Sequence, residues 1–212
     1  MHYVAREPEP DRLKHIRLRY TQAWIDYYKH RVGNKPTDRR WREFINDLSV
    51  CFNECCGYCE MSCKGEVDHY RPKNKFPELV YEWDNWVFSC HECNHNKGDH
   101  WPSLGFVNPC STDSFCDESQ CCFIFDLKTG EVLPHPKLSR ANEKKAKDTI
   151  RILRLNLTFR LKQRLTRIRH LESLLSLAQY DPRSAADELA YLALQSVPFS
   201  SLTKYYVEVN IT

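Results

Sequence analysis

Two C-x-x-C pairs, Cys56/Cys59 and Cys90/Cys93, bracket Asp68-His69 and the stretch Asp84-Asn85-Trp86-Val87. A tight turn lets cysteines three apart point at one ion, and zinc takes four thiolates in a tetrahedron. Two such knuckles on one zinc tie the chain to itself across about 30 residues, so a compact metal-held module must lie between them. Four thiolates leave no open position for water, so this zinc reads as structural. Chemistry then belongs to a second, harder cation held by oxygen and imidazole ligands. Cys55/Cys59 and Cys59/Cys63 are competing ligand registers, with Cys51 close by. The x-x spacing with its Gly57 turn favours Cys56/Cys59. Cys110, Cys116, Cys121 and Cys122 are too irregularly spaced for a second knuckle site and read as free thiols.

The chain has 212 residues and eleven cysteines, an odd number that fits complete disulfide pairing poorly. The opening MHYVAREPEP has no apolar h-region. With the paired knuckles, that favours thiolate–metal bonding in a reducing cytoplasm. No stretch is apolar enough to span a bilayer. A net charge of +3 does not by itself announce a nucleic-acid binder.

The patterning predicts an α+β, mainly helical fold. A zinc-stabilised core at 55–105 is flanked by a helical segment at 1–54 and a hairpin plus basic helices at 106–212. Residues Met1–Pro10 read as an extended arm. Asp11 can cap a helix to about Arg31, with Leu13, Ile16, Tyr20, Trp24 and Tyr27 as its stripe. Thr37 or Asp38 starts a second helix to about Phe52. Glu66–Tyr70 reads as a strand with Val67 and His69 on one face and Asp68 on the other. A short helix beginning near Cys93 carries Asn94 and Lys97 on one face. Phe123–Leu127 and Val132–Leu133 flank a turn and read as a hairpin. Ser139–Asn156 and Thr158–Gln179 are helical, the second with Leu161, Leu165, Ile168, Leu171 and Leu175 inward. Pro182 opens another helix, and the β-branched tail Leu202–Ile211 reads as a strand.

Asp68-His69, Asn85 and Asn94 followed by Lys97 resemble the HNH, or ββα-metal, endonuclease pattern. That pattern has an acidic-His pair on the first strand, then an Asn, then a His or Asn directly after the second cysteine pair. A pentavalent phosphoryl transition state gathers charge on its non-bridging and leaving oxygens, which one divalent cation can stabilise. Asp68 and Asn94 are the expected ligands for Mg²⁺ or Mn²⁺, with His95 as the fallback. His69 is the expected general base, with an ordinary pKa near ~6.5. Asn85 supports the loop or the His69 ring. Lys97, Arg71 and Lys73 are expected to meet phosphate. His91 reads as a solvated knuckle residue.

Longer pieces are more specific. CGYCE, VDHYRPKNKFPEL, YEWDNWVFSCHECNHNKGD, Asn108-Pro109-Cys110, FDLKTGEVLP and DTIRILRLN resemble the PtuB family, HNH nucleases of the Septu anti-phage system that are also found with some retrons. The resemblance implies a toxic effector that cuts DNA, or else transfer RNA. It also implies an ATPase partner, PtuA, and in some systems a retron reverse transcriptase with its RNA–DNA hybrid. Between Arg140 and His170 the cations far outnumber Glu143 and Asp148. Arg160, Arg164 and Arg167 on that stretch are expected to meet a phosphate backbone. The competing reading is a non-catalytic, zinc-stabilised nucleic-acid-binding or adaptor module.

Overall fold

The computed structural model describes residues 1, 3–111 and 122–211. Cys116 and Cys121 lie outside them. The N-terminal arm is extended but tied down. Val4 is buried and its N–H donates to the Pro109 carbonyl at 2.7 Å. The Arg6 guanidinium donates to the Trp83 and Asp84 carbonyls at 3.0 and 3.2 Å, and also to that of Trp86.

Helix α1 is Asp11–Ile25, with Pro10 rather than Asp11 at the N-cap. Asp26–His30 continues it as a wider π-turn that ends at Arg31 in the left-handed region. The second predicted helix begins late, as a 3₁₀ turn at Arg40–Phe44 that runs into α2, Ile45–Cys51. Asp38 accepts the Arg40 N–H at 3.1 Å, a local side-chain bond that competes with helical pairing.

The centre is a ββα unit. Strands β1 (Glu66–His69) and β2 (Trp86–Ser89) pair antiparallel, with Asp68 opposite Val87 and His69 opposite Trp86. All four β2 residues are buried, so the hairpin is covered on both sides. Helix α3, His91–Lys97, follows directly and starts two residues earlier than the spacing suggested, because Cys90 is its N-cap. At the turn before β1, Gly65 has φ +64°, and a Cβ there would meet the Phe88 ring at 2.2 Å. Only glycine fits that approach.

Strands β3 (Phe123–Phe125) and β4 (Val132–Pro134) form the predicted hairpin. Helix α4 is Arg140–Ile152, and the Ser139 hydroxyl accepts the Asn142 N–H at its start. Helix α5 is Thr158–Leu177, and α6 is Pro182–Leu192 with Asp181 as N-cap. The tail is a helix, α7, Ser200–Ile211, and not a strand. Leu202, Thr203 and Tyr206 fall on one of its faces and are buried, and Tyr205 meets Phe125 of β3. Packing thus overrides the β-propensity of Tyr-Tyr-Val-Glu-Val. Among the described residues, no helix is long and apolar enough to cross a membrane.

Candidate active site beside the cysteine cluster

The sulfurs of Cys56, Cys59, Cys90 and Cys93 lie within 4.8 Å of one another, with Cys59 and Cys90 3.8 Å apart. Tetrahedral zinc with Zn–S bonds of ~2.3 Å needs sulfurs ~3.8 Å apart, so the cluster fits that ion. The backbone builds it from both sides. Gly57 N–H donates to Phe88 O at 2.8 Å, tying the first knuckle to β2. Cys93 N–H reaches the Cys90 sulfur at 3.5 Å as the cap of α3. Hydrogen bonding to the Cys56 sulfur pushes the Cys59 and Cys93 thiols well up. Among the described residues this is the group that could hold a metal through three or more such side chains. Cys51, Cys55 and Cys63 stand outside it.

Helix α5 supplies an outer contact that the cysteine spacing could not show. Arg160 is 1% exposed. It donates through Nη2 to the Cys93 sulfur at 3.1 Å and through Nη1 to the Leu153 and Arg154 carbonyls at 2.9 and 3.1 Å. Burial alone would lower its pKa, but Cys93 and the other cluster sulfurs raise it further, so the guanidinium is firmly held as a cation.

A cleft of about 690 Å³ opens beside β1. Asp68, His69 and Asn94 all border it. The two-residue period of a strand would separate Asp68 from His69, yet both sit at the end of β1 and border the same cleft. Asp68 is buried and accepts from Tyr58 Oη at 2.6 Å and from Lys97 Nζ at 2.9 Å. His69 is buried edge-on to Trp41, their ring centres 4.9 Å apart, and its Nε2 lies 2.9 Å from the Val80 carbonyl. A carbonyl only accepts, so Nε2 carries the proton and Nδ1 keeps a lone pair. Burial, with help from Lys73 and Lys97, pushes the imidazole pKa down to about 3. The ring is neutral at ordinary pH.

Two residues of β1 clasp three residues of α3. Glu66 accepts from Asn94 Nδ2 at 2.6 Å through one oxygen and sits 3.0 Å from His91 Nδ1 through the other. Asp68 meets Lys97, whose ammonium also donates to the His69 carbonyl at 2.6 Å. His91 is solvated, as expected, apart from this contact. His95 is exposed, stacks on His91 and does not border the cleft, whereas Asn94 does.

Several predicted contacts fall elsewhere. Lys97 is fully buried and holds Asp68, so it is not a phosphate contact at the surface. Arg160 and Arg164 also point inward. Arg164 is 5% exposed and donates to Leu155 O at 2.5 Å. Arg167 is half-buried and reaches Thr203 Oγ1 at 3.3 Å. Arg160 and Arg164 are corrected from a nucleic-acid face to internal anchors of α5. Asn85 is buried and does not touch the His69 ring. Its Oδ1 accepts the Arg71 N–H at 2.8 Å and its Nδ2 donates to the Arg71 and Leu79 carbonyls, so it holds the loop after β1. Arg71 lies over Phe76 and Trp101, away from the cleft lining. Lys73 does border the cleft, 5.7 Å from the Trp41 ring. The reading from sequence missed Lys35, Arg39 and Arg42, which line the same cleft.

The strand–strand–helix frame, its cysteine cluster and the Asp-His pair are the features of an HNH endonuclease, and residues 56–100 match the HNH endonuclease family model. A curated relative, the Septu protein PtuB of Bacillus thuringiensis, is 30% identical over 105 residues. That match covers 47% of this chain and 38% of the relative. The chain is thus similar to an HNH endonuclease over residues 56–100 and to PtuB over about half its own length, and it spans well under half the length of the curated relative it matches.

Proposed function

We propose that this chain is a metal-dependent endonuclease that hydrolyses phosphodiester bonds of DNA, with transfer RNA as the alternative substrate. It acts as the toxic effector of an anti-phage complex. The observation that carries the nuclease reading is the convergence of Asp68, His69 and Asn94 on one cleft. The likeness to PtuB supports the defence role and an ATPase partner of the PtuA type. In a retron-associated form, a reverse transcriptase with its RNA–DNA hybrid would join them.

Asp68 and Asn94 would hold Mg²⁺ or Mn²⁺. An ionised carboxylate has about four lone-pair sites, so Asp68 can keep Tyr58 and Lys97 and still offer a ligand oxygen. Asn94 offers Oδ1, because Glu66 can only accept and therefore engages Nδ2. Such a cation supplies positive charge to the non-bridging and leaving oxygens of the phosphate. His69 would take the proton of the attacking water on Nδ1, while the Val80 carbonyl holds the ring in that tautomer. Its low pKa reflects burial and two nearby lysines, and an anionic phosphate in the cleft offsets the lysines and raises the basicity of the ring.

A Mg²⁺ and Mn²⁺ titration with plasmid and with transfer RNA tests this reading. Wild type should cut at least one substrate, and His69→Ala should cut neither while melting like wild type. A His69→Ala chain as active as wild type removes His69 as the base. Nucleic-acid binding that ignores EDTA, with no product under any condition, supports the adaptor reading instead.

A further inference from the structure

Many cations of the N-terminal segment away from the cleft are paired with acids: Arg12 with Asp47, Arg17 with Glu9 and Glu82, Lys29 with Glu78, and Arg40 with Asp38 and Glu43. Others there are engaged differently, Arg6 on backbone carbonyls and Arg19 over the Tyr20 ring. Lys35, Arg39 and Arg42 are exposed and line the cleft, and their side chains have no hydrogen-bond or ion-pair partner among the described residues. Lys73 joins them from the loop after β1.

The acids of the cleft offset only part of this charge. Asp68 is taken by Lys97, and Glu66 by Asn94 and His91. Asp99 is the acid that remains. Like charges around one cavity repel. Burial lowers the Lys73 pKa, while Asp99 and Asp68 pull the other way ahead of the smaller lowering by Lys97 and Arg39. Nothing in the fold is gained by gathering these cations around a buried histidine. A bound polyanion would remove the repulsion.

Arg39 and Arg42 flank Trp41 in sequence, and the Trp41 ring lies against His69, so the 3₁₀ turn that packs on the histidine also brings both arginines to the cleft.

We infer that the segment from Lys35 to Arg42, with Lys73, is the phosphate-binding wall of this cleft, Arg39 and Arg42 taking backbone phosphates next to the scissile one. The inference rests on the nuclease reading of the same cleft. The ligand chemistry is a phosphodiester backbone, and the substrate arms of the test separate DNA from RNA.

The test measures binding without cutting, in the full chain carrying His69→Ala. Labelled duplex DNA, single-stranded DNA and transfer RNA are titrated at several salt concentrations. Arg39→Ala with Arg42→Ala should lower the log–log salt slope by ~1.8 on duplex DNA or ~1.4 on a single strand, about one phosphate contact per arginine. Arg39→Lys with Arg42→Lys should recover most of that loss. Lys144→Ala with Lys147→Ala, which removes two ion-paired cations of α4, should leave the slope unchanged. The substrate with the largest loss identifies the backbone. An unaltered slope on all three substrates overturns the inference, and so does a His69→Ala chain that binds none of them. Failure of the nuclease reading looks different, because wild type then makes no product whether or not the arginines govern binding.

Discussion

Asn94 donates its amide nitrogen to the Glu66 carboxylate across 2.6 Å. An amide has one oxygen and one nitrogen end, and a carboxylate can only accept, so this contact settles which end is left for a cation. Glu66→Ala should free the amide to turn and weaken Mn²⁺ binding, measured by titration calorimetry in the His69→Ala background, by ~10–100-fold, the usual scale for losing a partner behind a metal ligand. His95→Ala should leave the affinity unchanged. Equal effects of the two substitutions would move the ligand to His95.

Lys97 and Asp68 form an ion pair with neither side chain more than 4% exposed. Lys97→Met strands a buried carboxylate and the His69 carbonyl. Such truncations cost ~3–5 kcal/mol, so urea denaturation should show a stability loss on that scale. Adding Asp68→Asn should recover part of it, because the stranded charge disappears. No recovery would mean that the loss comes from packing.

Arg160 places a guanidinium against the Cys93 sulfur. A zinc bound by four thiolates carries a net negative charge, which a buried cation offsets. Arg160→Met should speed zinc release to a colorimetric chelator by about ten-fold, and Arg160→Lys should do so less. Release at the wild-type rate would limit Arg160 to tying α5 to the carbonyls of Leu153 and Arg154.

His69 also makes stability depend on pH. Its folded pKa is about 3, below the unfolded value near ~6.5. Between those limits the unfolded chain binds the proton and the folded chain does not, so stability rises with pH by up to ~1.4 kcal/mol per unit. Melting scans from pH 4 to 7 should therefore slope upward. The slope should be shallower in His69→Gln, and the difference isolates the histidine from acid loss at the cysteines. Parallel curves would place the His69 pKa near its ordinary value.

The centre of the fold was legible because its signals are short-range. Cysteine spacing sets the knuckles, Ser139 caps a helix where its side chain can reach a free N–H, and Pro182 opens the next but one. The misreadings share another cause. Arg160 and Arg164 sit four apart on a helix rich in cations, and charge is normally solvated. What turns them inward is set by distant chain: the Cys93 sulfur for one, the Leu155 carbonyl and Asn156 for the other. The inward turn shifts the buried stripe of α5 from Leu161 and Leu165 to Arg160 and Arg164. Tail residues Leu202–Ile211 fit either period, and only contact with α5 and β3 decides for a helix. Lys35, Arg39 and Arg42 carried no motif, and their importance appears once the loop before α2 is folded over the cleft.

One consequence concerns the order in which the chain is made. Every cysteine ligand and every cleft residue has left the ribosome before Arg160, which lies 67 residues beyond Cys93. A nascent or truncated chain that stops short of α5 has its whole cutting site in sequence, yet the Cys93 sulfur lacks its guanidinium. The contact therefore forms only once the chain has been made at least as far as Arg160.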